Sequence, residues 1–158
     1  MKMDKNSNKT QKMQEMRHLF VVLSRQFGLL QKESSQCCGV TTIQSHILYE
    51  IKQGYHMTLN QLAQRLCLDN STTSRHVHGL VEKEYVVRLP HPEDRRYVTL
   101  ELSEKGKKLE EEITEMMTTS IMDMFKDLPE DKITSMRTEI KDLTEIMRKS
   151  DICCYPPF

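Results

Sequence analysis

Leu66-Cys67-Leu68-Asp69-Asn70-Ser71-Thr72-Thr73-Ser74-Arg75-His76-Val77-His78-Gly79-Leu80-Val81-Glu82-Lys83-Glu84-Tyr85-Val86-Val87-Arg88 is the stretch that decides the fold. Asp69 and Asn70 open it as helix caps, because their short side-chain oxygens accept orphan backbone N–H groups. Thr73, Val77, Leu80 and Val81 then recur at helical spacing, which predicts one buried stripe. Thr72, Arg75 and Gly79 occupy the opposite face, flanked by Ser71 and His76. That face is short and polar, and Gly79 leaves room for a close surface. Cys67, between two leucines, reads as a small buried hydrophobe.

Working outward, Tyr85–Leu89 and Tyr97–Leu102 are β-rich runs joined by Pro90-His91-Pro92-Glu93-Asp94-Arg95-Arg96, which predicts a hairpin. Arg95 and Arg96 stand at the tip of its proline-stiffened loop and project. Upstream, Thr58 caps a short amphipathic helix with Leu59, Leu62, Ala63 and Leu66 inward. Helix, tight turn, polar-faced helix and basic hairpin form the order of a winged helix-turn-helix. Such a unit lays its second helix in the major groove of DNA.

The residues also carry a family resemblance. Leu68-Asp69-x-Ser71-Thr72-x-Ser74-Arg75-x-Val77-x-x-Leu80, Val87-Arg88, Asp94-Arg95-Arg96 and Leu102-Ser103-Glu104-Lys105-Gly106 together resemble the MarR family of bacterial transcription regulators. The resemblance extends over residues 11–149. It implies a homodimeric repressor (in some members an activator) that binds double-stranded DNA and is released by a small ligand or by cysteine chemistry. It further implies that Asn70, Ser71, Thr72, Arg75, His76, Arg95 and Arg96 contact DNA.

The expected fold is mainly α with a small β-hairpin wing: a winged helix-turn-helix over 41–102, flanked by dimerisation helices over 11–32 and 103–149. Residues 1–10 and 150–158 are expected as tails, the first because it is rich in Lys, Asn and Ser. A chain of 158 residues suits one domain with a real core. Charge does not single out nucleic acid: 23 Lys/Arg balance 23 Asp/Glu, and residues 58–100 hold six against five. DNA binding therefore depends on where Arg75, Arg88, Arg95 and Arg96 point.

In the long first helix, Met13, Met16, Leu19, Phe20, Leu23, Phe27 and Leu30 keep helical period. Glu33–Gly39 is expected to break it, and Thr41 or Thr42 to cap a second helix bearing Ile43, Ile47, Leu48 and Ile51. Ser103 caps a third long helix with Leu109, Ile113, Met116, Met117, Ile121 and Met124 inward. Pro129 starts the last, whose apolar stripe is Ile133, Met136, Ile140, Leu143, Ile146 and Met147. This apolar surface exceeds what a small winged unit covers, so a second copy is the expected partner.

Five cysteines, an odd number, do not suggest a secreted disulfide framework, and a reducing cytoplasm is the expected setting. No apolar run is long enough for a bilayer span. Cys37-Cys38 and Cys153-Cys154 are adjacent pairs. Neighbouring Cα atoms about 3.8 Å apart are too close for a relaxed disulfide, which spans about 4.4–6.8 Å. The pairs suit a thiophilic metal or metalloid, or bonding to a distant cysteine; the alternative is ordinary loop and tail. No cofactor is expected. A non-covalent organic effector and a purely protein-binding winged helix remain open. No glycine-rich phosphate loop or nucleophile elbow points to an enzyme.

Overall fold

The computed structural model describes residues 3–54 and 56–149. Nine elements follow one another: α1 (Met3–Cys37), α2 (Thr42–Gln53), β1 (Met57–Thr58), α3 (Leu59–Leu66), α4 (Asn70–Glu82), β2 (Val86–Pro90), β3 (Val98–Leu102), α5 (Glu104–Phe125) and α6 (Glu130–Lys149). The expected mainly helical winged architecture is therefore present. Two boundaries differ from the sequence expectation. Helix α1 starts at Met3 rather than Gln11, and it runs through Glu33 to Cys37 before breaking. The break waits for Gly39, the one residue of the turn with a left-handed backbone (φ +71°).

Local chemistry explains the helix starts. Thr41 and Thr58 each form a capping box, with Gln44 and Gln61 three residues on returning the hydrogen bond. Ser103 accepts from the Gly106 N–H at 3.0 Å. Thr58 and Ser103 cap where the sequence placed them, and of Thr41 and Thr42 it is Thr41 that caps α2. The wing gains a third strand that sequence periodicity does not show: two-residue β1 pairs with β3, giving the antiparallel order β1-β3-β2. At two residues it is too short to carry an alternating pattern.

One core joins these pieces. Ile47, Leu48 and Ile51 of α2 meet Leu62 of α3, Val77 and Leu80 of α4, Val86 and Leu100 of the wing, and Leu109 and Ile113 of α5. Thr73 is fully buried too, its hydroxyl donating to the Asp69 carbonyl at 2.9 Å. Glu110, 3% exposed, is the charged residue within this packing. It pairs with Lys52 of α2 and accepts from the Thr114 hydroxyl at 2.7 Å, which ties α2 to α5. Gly106 is required by close approach: a Cβ there would lie 1.9 Å from the Tyr85 carbonyl oxygen.

The long helices are different. Only the first turns of α5 enter the core; Met116 and Met124 are exposed. No residue of α6 is buried. Met13, Met16, Leu19, Phe20, Leu23 and Phe27 of α1 are exposed as well.

Candidate nucleic-acid interface

The second helix of the helix-turn-helix, α4, is aimed by its ends. Asp69 accepts from the Thr72 N–H at 2.7 Å and from the Ser71 hydroxyl at 2.5 Å. These bonds hold its carboxyl well below the usual carboxylate range, the Ser71 bond contributing most. The other end is fixed by Lys83, whose ammonium donates to the Gly39 carbonyl at 3.0 Å and whose own carbonyl accepts from Lys105 at 2.9 Å. The preceding turn passes through Cys67, which takes a left-handed backbone (φ 52°). Cys67 is exposed, not a buried hydrophobe. Its role is that of a helix C-cap, which the leucines on either side disguised.

The outward face of α4 is also rotated from the sequence expectation. Asn70, Ser71, Arg75, His78 and Glu82 are exposed, whereas Thr72, His76 and Gly79 are half-buried. Gly79 faces the molecule itself: the Gln44 amide nitrogen of α2 lies 3.1 Å from where its Cβ would be. The small residue accommodates α2, so the expected room for a close external surface is already filled. His78, absent from the sequence expectation, also stands on the outward face, as its spacing of three from Arg75 and seven from Ser71 requires. It pairs with Glu82 at 3.4 Å.

Arg75 makes no hydrogen bond or ion pair among the described residues and stands free on this face. Asn70 donates to Asn60 of α3 at 3.4 Å, and Ser71 spends its hydroxyl proton on the Asp69 cap. At the wing, the two arginines diverge. Asp94 grips Arg96 through Nε at 3.0 Å and Nη2 at 2.7 Å, and also accepts its backbone N–H at 3.1 Å. The bridge lowers the Asp94 carboxyl and raises the Arg96 guanidinium. Arg96 nonetheless keeps 83% of its side chain exposed, so the carboxylate braces the cation without covering it. Arg95 and Arg88 are exposed, and neither has such a brace among the described residues.

At the start of α5, Lys105 and Lys107 have partners within the chain. Lys105 lies 4.9 Å from the Tyr85 ring centroid, and Lys107 pairs with Glu104 at 2.6 Å.

Of the cysteines, Cys37 closes α1 and Cys38 lies in the following turn, so the pair is split between helix and turn rather than sharing a loop. Cys38 donates to the Met116 sulfur at 3.8 Å. Cys153 and Cys154 lie outside the described residues. No group of three or more His, Cys, Asp or Glu is arranged to hold a metal ion among the described residues.

A family model for MarR matches residues 40–98, from the α1–α2 turn to the wing. Over that segment the chain is similar to the MarR family. The MarR-like fold extends beyond it. A MarR transcriptional regulator from Methanosarcina mazei Go1 superposes with a TM-score of 0.76 at 22% identity, over 86% of this chain and 98% of that one. A cysteine-to-serine mutant of MarR from E. coli, complexed with operator DNA, gives 0.69 at 22% identity, over 84% and 95%. In sequence, YsmB of Bacillus subtilis (strain 168), described as an uncharacterized HTH-type transcriptional regulator, is 26% identical over 65% of this chain and 68% of its own length.

Proposed function

We propose that this chain is a MarR-family, sequence-specific, double-stranded-DNA-binding transcription regulator that acts as a homodimer in the cytoplasm and represses its targets. Arg75 carries the proposal: a long cation, free among the described residues, on the exposed face of a doubly anchored second helix. A guanidinium so placed can grip guanine O6 and N7 together. Arg96, braced by Asp94, supplies a second rigid cation at the wing tip, suited to a narrow minor groove. The operator-bound structure among the similar folds supports the same reading.

Pairing is supported by α6. No residue of this 20-residue helix is fully buried, and helices in proteins draw most of their stability from packing an apolar face, so its apolar stripe needs cover. Two copies would also supply two α4 helices for half-sites about 34–36 Å apart.

Control by an effector has two candidate sites. One is the Cys38 region. The other is a cavity of about 560 Å³ between α1, α2 and α5, whose walls include Phe27, Tyr49, Ile113, Met117, His46 and Glu110. It has an apolar lining without lysine or arginine, which favours a neutral or cationic organic ligand over an anion.

Binding to the duplex upstream of the protein's own gene, followed by fluorescence anisotropy against a shuffled duplex, tests the function. Preference for the upstream duplex is expected. Equal affinity for both sequences would overturn sequence-specific regulation.

A further inference from the structure

We propose that Cys38 and Met116 form a binding site for a soft monovalent metal ion of the Cu(I) or Ag(I) type, which clamps the α1–α2 turn to α5. The two sulfurs are 3.8 Å apart yet 78 positions apart in sequence, so tertiary packing alone unites them. Thiolate and thioether are the donors that soft cations select over hard ones. The Cys38 thiol already donates to the Met116 sulfur. A monovalent ion takes the place of that proton: the S–H bond breaks, H⁺ leaves, a thiolate–metal bond forms, and Met116 donates a lone pair. One positive charge replaces another, and no electron is transferred.

The geometry suits such an ion. With the zinc–thiolate length of about 2.3 Å as a guide, a 3.8 Å separation gives an S–metal–S angle of roughly 110°, bent as in a site with a third donor and not linear. That leaves one side open for a further donor. The surrounding open cavity of about 620 Å³ carries Glu112, Glu115, Thr119 and Ser120, so its oxygens and its negative charge favour a cation.

The site is placed to report on α4. Gly39, the residue after Cys38, is the one whose carbonyl holds Lys83 at the end of that helix. An ion that binds better when this turn is displaced would shift the orientation of α4; equal affinity for both shapes would shift nothing. This regulatory consequence rests on the proposed DNA binding, whereas the metal site itself does not.

The test uses the full chain with Cys37, Cys67, Cys153 and Cys154 replaced by serine, titrated with Ag(I) alone and followed by native mass spectrometry and proton release. One ion bound with about one proton released is expected, as is loss of binding in Cys38→Ser. Met116→Leu keeps side-chain volume but removes the thioether. It should weaken Ag(I) binding by at least the ~10–100-fold typical of losing a mere supporting neighbour. Unchanged affinity in Met116→Leu, with an unchanged circular dichroism spectrum, would overturn the site, as would absence of binding in the Cys38-only chain. In a parallel arm, one equivalent of Ag(I) should change operator affinity in the Cys38-only chain but not in its Met116→Leu form. A metal-free chain that ignores DNA would overturn the DNA-binding proposal while the Ag(I) stoichiometry still judges the site.

Discussion

At the scale of the residue, the structure separates arginines that a sequence presents as equals. Arg75 is free to meet a ligand, Arg65 is engaged by Glu50 at 3.1 Å, and Arg96 is held by Asp94. Arg75→Ala should therefore lower operator affinity by about 1–3 kcal/mol, the range for one bidentate base contact, without unfolding the chain. Anisotropy titration with the specific duplex checks this; an unchanged affinity removes Arg75 from the interface. Asp69 makes a pH prediction. Its folded carboxyl is depressed below the unfolded value of 3.8, so its contribution is complete above about pH 4 and is lost as pH falls toward the folded value. Asp69→Asn keeps an oxygen for the cap but does not titrate. Urea melts at pH 6 and pH 3 should show wild type losing more stability than Asp69→Asn over that interval.

At the scale of the element, the wing and the start of α5 depend on each other. Ser103 accepts from Gly106 and donates to the Glu84 carbonyl at 2.6 Å, fastening the helix start to the strand entry. With the Tyr85 carbonyl occupying the space a side chain would need, Gly106→Ala forces a backbone shift. A loss of about 1–3 kcal/mol, the usual cost of overpacking, is expected in denaturant unfolding. The wing itself should act as an electrostatic element. Replacing Arg95 and Arg96 together by alanine should weaken DNA binding and flatten its salt dependence, by about 0.9 in log–log slope for each phosphate that is no longer neutralised. Affinities measured across a salt series check it, and an unaltered slope would place the wing away from the phosphates.

At the scale of the whole molecule, two regions differ in how they are stabilised. The winged unit closes its core together with the first turns of α5, whereas α6 and the outer faces of α1 and α5 leave Met136, Ile140, Ile146, Leu19, Phe20 and Met124 exposed. Burying such surface against a second copy would contribute roughly 25 cal/mol per Å² of apolar area. Ile140→Glu combined with Met136→Glu should shift the chain from dimer to monomer in light scattering. DNA affinity should fall with it, because one α4 helix cannot span two half-sites. A double variant that stays dimeric would place the dimer interface on another face.

The amino-acid sequence by itself determined the winged helix-turn-helix, its caps at Thr58 and Ser103, the caps of α2 and α4 to within one residue (Thr41 or Thr42, Asp69 or Asn70), and the buried stripe of α4. All of these rest on near-neighbour chemistry, in which a side chain three or four residues away decides the outcome. Tertiary structure alone decided the rest. Gly79 faces Gln44, and Cys67 caps a left-handed turn in the open. Strand β1 exists because β3 offers it an edge, and Cys38 meets Met116 rather than a neighbouring thiol. Each of these features joins residues far apart in the chain, or depends on which side of a helix its neighbours cover. Periodicity defines a helix face; only packing decides what that face meets.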